Sequence, residues 1–87
     1  MGEHKLRGSD IDLICRNKVE YMFMVSLISS DNIRTLEDAE KSLEFLDDVE
    51  EAVKEAPISK EKKEEFEKYI VKGRSLLNGD IERFKQN

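Results

Sequence analysis

The chain has 87 residues, of which 40% are charged, and its formal net charge is -5 at pH 7. This length fits one small domain, which gains stability from self-association because a short chain buries only a modest core. The net negative charge argues against direct binding to nucleic acid or to an anionic membrane, since both usually require a basic patch. The single cysteine, Cys15, cannot form an internal disulfide, so we expect a reducing, cytoplasmic environment.

Residues 1–8 contain two glycines and no hydrophobic periodicity, which predicts a flexible N-terminal tail before a single domain over residues 9–87. The only histidine, His4, lies in this tail and has no second ligand nearby, so we expect no metal site there. Ser9 is predicted to cap helix 1 over residues 10–29, with Asp10 and Asp12 in its first turn.

The second half of predicted helix 1 is apolar on nearly all sides, and this stretch, residues 19–28, is about half the length of a membrane-spanning helix of ~20 residues. Alternate residues in it also fit a strand, but Met22 and Met24 favour a helix. Glu20 is expected at the solvent-facing edge of this stretch. The alternative is a buried carboxylate with a raised pKa.

Helix 2 is predicted over residues 36–55, capped by Thr35 and ended before Pro57. Ser59 is predicted to cap helix 3, whose apolar seam contains Gly73, where another backbone could approach closely. Either Gly79 ends helix 3 and a short fourth helix follows, or helix 3 continues through it. The sequence therefore predicts an all-α fold, a small bundle of three helices or four.

The apolar surfaces of helices 1 and 2 exceed what a three-helix bundle needs, and exposed apolar patches mark interfaces. We therefore predict an interface for a protein partner, with a homo-oligomer, and in particular a dimer, favoured. An irregular bundle that buries these side chains is the alternative. The predicted interface residues are Tyr21, Phe23, Met24, Leu27, Phe45, Val49 and Ala52.

Residues 35–56 carry nine acidic residues and two lysines, and the acids lie on one face of helix 2. This face is either solvated and partly neutralised by basic residues of helix 3, or a docking face for a basic protein. In the second case the chain would act as an acidic inhibitor or decoy at a nucleic-acid site. The predicted acidic face comprises Glu37, Glu40, Glu44, Asp47, Asp48 and Glu51.

The segment from Gly8 to Leu13 reads Gly-Ser-Asp-Ile-Asp-Leu and resembles the aspartate-bearing strand of the nucleotidyltransferase superfamily. The resemblance implies that Asp10 and Asp12 would hold divalent metal ions for nucleotidyl transfer. It covers six residues, and no later strand is evident to supply a third carboxylate. A capped helix start is therefore the preferred interpretation of this segment.

No arrangement of a nucleophile and a base is evident, since the only histidine lies in the tail. We therefore predict a small non-enzymatic, regulatory interaction protein that needs no cofactor and self-associates through an apolar helical surface. The acidic inhibitor is the alternative, and a nucleotidyltransferase-like fragment is a third option.

Overall fold

The computed structural model describes residues 6–29 and 33–86, and within those ranges the chain forms helices and no β-strand. The predicted all-α bundle is therefore confirmed. The predicted tail residues 1–5, including His4, lie outside the described residues. The four helices are α1 (Gly8–Arg16), α2 (Glu20–Leu27), α3 (Leu36–Glu55) and α4 (Lys60–Gln86).

Helices α3 and α4 form a hairpin that makes the most extensive helix–helix contact in the described chain. Both helices begin at the predicted caps. The Thr35 hydroxyl accepts a hydrogen bond from the Asp38 backbone N–H at 3.1 Å, and the Ser59 hydroxyl accepts one from the Lys62 backbone N–H at 3.2 Å. These hydroxyls satisfy amide groups that have no partner inside the helix, which fixes where each helix starts.

Predicted helix 1 is in fact two helices, because α1 ends in a left-handed turn. Lys18 has a φ of 58°, its N–H bonds to the Cys15 carbonyl, and the Val19 N–H bonds to the Ile14 carbonyl. This pattern is a Schellman motif, which normally places glycine at the left-handed position. The turn redirects the chain, so that α1 packs against α3 while α2 packs against α4.

The start of α1 also differs from its prediction. Arg7, not Ser9, precedes the first helical residue, and its backbone N–H donates to the Asp10 carboxylate at 2.9 Å. Gly8 is buried, and a β-carbon there would lie 2.9 Å from the backbone nitrogen of Ala56. The segment from Leu6 to Gly8 therefore belongs to the folded domain and not to a tail, because α1 enters against the turn between α3 and α4.

Helix α4 runs through Gly79 without a break, so the additional helix of the bundle is α2 and does not begin after Gly79. A β-carbon on Gly79 would meet no atom outside its own turn within 4 Å. Gly73 behaves as predicted, since a β-carbon there would lie 2.6 Å from the Leu27 carbonyl oxygen. Its missing side chain lets the end of α2 rest on the backbone of α4.

The core is one cluster to which all four helices contribute. Phe66 and Ile70 of the predicted α4 seam lie in this cluster, while Leu76 on the same helix is 46% exposed. The residues buried in the core are Ile11, Met24, Leu27, Ala39, Leu46, Val49, Ala52, Val53, Ala56, Phe66, Ile70 and Leu77.

Candidate interaction surfaces

Helix α2 is a short helix whose sequence, Glu-Tyr-Met-Phe-Met-Val-Ser-Leu, does not distinguish an inner from an outer side. Packing makes the distinction. Met24 and Leu27 are buried, and the Phe23 ring lies edge-on to Phe66 with ring centres 6.1 Å apart. Leu27 in turn rests against Gly73. These contacts fix which side of α2 faces α4.

The opposite side of α2, formed by Tyr21, Met22 and Val25, faces solvent, and we call it the outer α2 surface. Tyr21 is 69% exposed, Met22 72% and Val25 41%. None of the three carries a charge, although the chain around them is rich in charge. Adjacent exposed apolar side chains of this kind make this surface a candidate for contact with another molecule.

The structure separates the seven predicted interface residues into two groups. Tyr21 and Phe45 are exposed and Phe23 is half-buried, so these remain available to a partner. The other four belong to the chain's own core and are not surface residues: Met24, Leu27, Val49 and Ala52. Met24 and Leu27 lie on the side of α2 that packs against α4, while Val49 and Ala52 are buried on α3, which packs against α1 and α4.

Met22 and Val25 were not among the residues predicted for an interface, yet both are exposed on the outer α2 surface. The buried residues Leu27 and Met24 define the side of α2 that faces the core. With 3.6 residues per turn, Met22 and Val25 lie about half a turn away from that side and therefore face solvent. The sequence alone does not predict the exposure of these two residues, because it does not show which side of α2 is buried.

Glu20 anchors the first turn of α2 to α4. Its carboxylate lies 3.0 Å from the Lys62 ammonium nitrogen, and its side chain is 17% exposed. The hydrogen bond from Lys62 lowers the pKa of Glu20 below its ordinary value of 4.5 and raises the pKa of Lys62 above 10.5. Glu20 is thus a paired, ionised group, and the alternative of a raised pKa is wrong.

Cys15 is half-buried and packs at the edge of the core. Burial raises the pKa of its thiol above the ordinary value of 9.0, and the Glu20 carboxylate raises it further. A thiol with a raised pKa stays protonated near neutral pH, so Cys15 behaves as a small apolar side chain and not as a nucleophile.

The predicted acidic face lies on the solvent side of α3, with Asp48 half-buried and the other five residues exposed. The guanidinium group of Arg74 on α4 lies at one edge of this acidic face, 2.6 Å from the Asp47 carboxylate and 2.7 Å from the Glu50 carboxylate. Its hydrogen bond lowers the pKa of Glu50. Lys41 lies 3.4 Å from Glu37 on α3 itself. The partial neutralisation by α4 expected from the sequence is thus present at Arg74.

Asp10 and Asp12 lie on helix α1 and not on a strand, unlike the aspartates of the nucleotidyltransferase strand that they resemble. Asp10 accepts the hydrogen bond from the Arg7 amide, and Asp12 pairs with Arg16 at 2.9 Å along the helix. Among residues 6–29 and 33–86, no three His, Cys, Asp or Glu side chains group closely enough to hold a metal ion. Both aspartates therefore have local structural partners.

Phe45 and Leu76 stand beside a small cavity between the end of α2 and the middle of α3 and α4. Asp80 also lines it and is 7% exposed, the most deeply buried charged side chain in the described part of the chain. Its burial could not be seen from the Asn78-Gly79-Asp80 pattern, which is typical of a turn.

Within the described ranges, no helix is both long enough and apolar enough to cross a membrane. No protein-family model, curated protein or solved structure matches this chain.

Proposed function

We propose that this chain is a small, non-enzymatic interaction protein that forms a dimer through the outer α2 surface. The observation that carries the proposal is the exposure of Tyr21, Met22 and Val25 on a helix whose other side is fixed in the core. Burying apolar side chains of this size contributes roughly 1.5–3 kcal/mol each when burial is complete. That gain is available only if a second molecule covers them.

The electrostatics favour a second copy as the occupant. In a two-fold dimer the same patch faces itself, so any charge in it would meet a like charge. The outer α2 surface has none, and the neighbouring Glu20 is neutralised by Lys62. Two copies with a net charge of -5 can therefore approach along α2, while contact through the acidic face of α3 would be repulsive.

A regulatory role in the cytoplasm is part of the proposal. The half-buried, protonated Cys15 thiol is compatible with a reducing compartment. A domain whose association state depends on concentration suits regulation, since dimerisation through a small patch responds to the amount of protein.

Analytical ultracentrifugation at tens of micromolar tests the proposal. We expect a dimer for the wild type and a folded monomer for Met22→Glu, because the new carboxylate would face its copy across the two-fold axis. Val71→Glu is the matched control, since Val71 is 63% exposed but lies on α4. A wild-type monomer at this concentration, or a dimer that Met22→Glu leaves intact, would contradict the proposal.

The second candidate function is an acidic inhibitor that covers the nucleic-acid site of a basic protein. Its support is the exposure of Glu40, Glu44 and Asp47 along one side of α3. We propose poly-L-lysine as a probe and Glu40→Gln with Glu44→Gln as the variant. Salt should weaken binding to the probe, as screening shortens the Debye length to about 3 Å at 1 M.

The matched control for this second function is Glu61→Gln with Glu64→Gln, which removes two exposed charges from α4. If the control and the α3 variant weaken binding equally, only net charge matters and the acidic face is not a docking surface. Salt also separates the two functions, because the apolar dimer should persist at high salt while the acidic contact is lost.

A further inference from the structure

The cavity beside Asp80 is a feature that self-association does not use. Its volume is about 60 Å³, enough for a few water-sized groups, and it lies where α2 ends against α3 and α4. Five leucine and phenylalanine side chains line it, together with Ile28 and the polar residues Ser26, Ser29, Ser42 and Asp80. The cavity is therefore an apolar site with a small number of polar groups, which is the usual composition of a ligand site.

Among the described residues that line the cavity, Asp80 carries the charge. Asp80 is 7% exposed, and its carboxylate accepts a hydrogen bond from Arg83, whose own side chain is 75% exposed. Arg83 therefore pairs with Asp80 from the solvent side and does not line the cavity. Helix α2 adds the negative end of its dipole, and its last turn contains no basic residue to offset it.

The rim of the cavity is apolar. Phe45 and Leu76 line it and are also 45% and 46% exposed, so each reaches from the interior to the surface. A ligand that enters between them needs an aliphatic stem followed by a small cationic end. A hard metal ion fits less well, because it prefers several oxygen ligands and the cavity offers one carboxylate.

We propose that this cavity binds a primary ammonium group on an aliphatic stem, carried by a small amine or by the lysine side chain of a partner. An ammonium group has three N–H donors. The Asp80 carboxylate and the Ser42 hydroxyl, which both line the cavity, would provide two acceptors, and a carbonyl group of Leu27 or Ile28 at the end of α2 would provide the third. The stem would lie between Phe45 and Leu76, as lysine stems commonly lie along apolar surface.

The test is a titration of ¹⁵N-labelled protein with n-butylammonium, followed by NMR. We expect saturable shifts at Ser42, Gly73 and Asp80 in the wild type. Asp80→Asn should weaken binding by about tenfold or more, since it removes a charge-assisted hydrogen bond. Glu64→Gln is the matched control, because it removes the same charge from an exposed position on α4 and should leave the affinity unchanged.

Arg83→Gln keeps the carboxylate and removes its competing partner, so we expect this variant to bind n-butylammonium several-fold more tightly. If Asp80→Asn does not fold, the affinity of Arg83→Gln for n-butylammonium tests the proposal in its place. Equal affinity in wild type and Arg83→Gln, equal loss in Asp80→Asn and Glu64→Gln, or shifts confined to the acidic face of α3 would overturn the proposal.

Two further probes distinguish the source of the ammonium group. Binding of Nα-acetyl-lysine methylamide in addition to n-butylammonium would assign the site to a partner's lysine, and binding of n-butylammonium alone would assign it to small amines. Tetramethylammonium, which has no N–H donor, should not compete. Competition by it would show that charge alone is recognised and would also overturn the proposal.

Discussion

Helices α2 and α3 both contribute to one core, but their sequences specify their orientation to different degrees. On α3, apolar residues such as Leu46 and Val49 alternate with carboxylates at helical spacing, so only one side can face inward. On α2 almost every side is apolar, and contacts with Phe66 and Gly73 of α4 decide which side is buried. A helix of the second kind leaves apolar side chains outside, and these become available for binding.

Truncating Leu46 tests the α3 half of this comparison and should have the largest effect. Leu46 is 1% exposed, so Leu46→Ala leaves a cavity in the core. We expect a loss of about 2–5 kcal/mol in the free energy of unfolding, measured by urea denaturation. Met22→Ala on the outer α2 surface is the control and should change it by less than about 0.5 kcal/mol when the protein is monomeric.

Gly73→Ala should displace α2 without altering its sequence. The added methyl group would meet the Leu27 carbonyl oxygen, which is backbone and cannot rotate away. Overpacking of this kind costs about 1–3 kcal/mol. The better helix propensity of alanine offsets up to ~1 kcal/mol of that loss.

Gly79→Ala is the matched control for Gly73→Ala on the same helix. The site is open, so the substitution should only improve helix propensity and stabilise the protein by up to ~1 kcal/mol. Thermal unfolding of the two variants would thus shift in opposite directions. If both stabilised the protein, the close approach between α2 and α4 would not exist in solution.

Lys18→Gly tests the turn that separates α1 from α2. A left-handed backbone costs a non-glycine residue roughly 1–2 kcal/mol, and glycine avoids this cost. Glycine is also more flexible when unfolded, which offsets part of the gain. We expect a net stabilisation of about 1 kcal/mol in denaturant unfolding. A loss of stability would mean that the turn is not left-handed.

The smallest effect is expected from the ion pair that holds the start of α2. Because the folded pKa of Glu20 lies below 4.5, the pair stabilises the protein above about pH 4.5 and this contribution disappears as pH falls through the folded pKa. The stabilisation by this pair is also lost as pH rises through the folded pKa of Lys62, which lies above 10.5. The difference in melting temperature between wild type and Glu20→Gln should therefore be constant between these limits and vanish in acid.

Local chemistry explains which parts of the fold were predictable from sequence. Thr35 and Ser59 cap helices through bonds to amides three residues away, and Gly73 stands within a clear apolar seam. The break at Lys18 was missed, because the left-handed position of a Schellman motif normally holds glycine. The start of α1 was missed because the need for glycine at position 8 comes from its close contact with the backbone of Ala56, a residue distant in sequence.

The candidate surfaces were predictable only in part, for a related reason. An apolar excess on α2 was evident, and Tyr21 and Phe45 are exposed as expected. Which residues of the excess stay outside depends on contacts with α4, which periodicity does not encode. Asp80 was missed because a charged residue is rarely buried, and only the packing of α2 and α3 around it explains its position.

The contact between Leu27 and Gly73 also bears on the order in which the chain folds. Helices α3 and α4 are joined by a short turn, so their hairpin closes a small loop, whereas α2 must find a site in the second half of the chain. Distant contacts require more loop-closure entropy and form later. We expect α2 to detach first in local unfolding, and native-state hydrogen exchange should show its amides exchanging faster than those of α3. The outer α2 surface would then belong to the least protected helix, and dimerisation would slow its exchange by holding it closed.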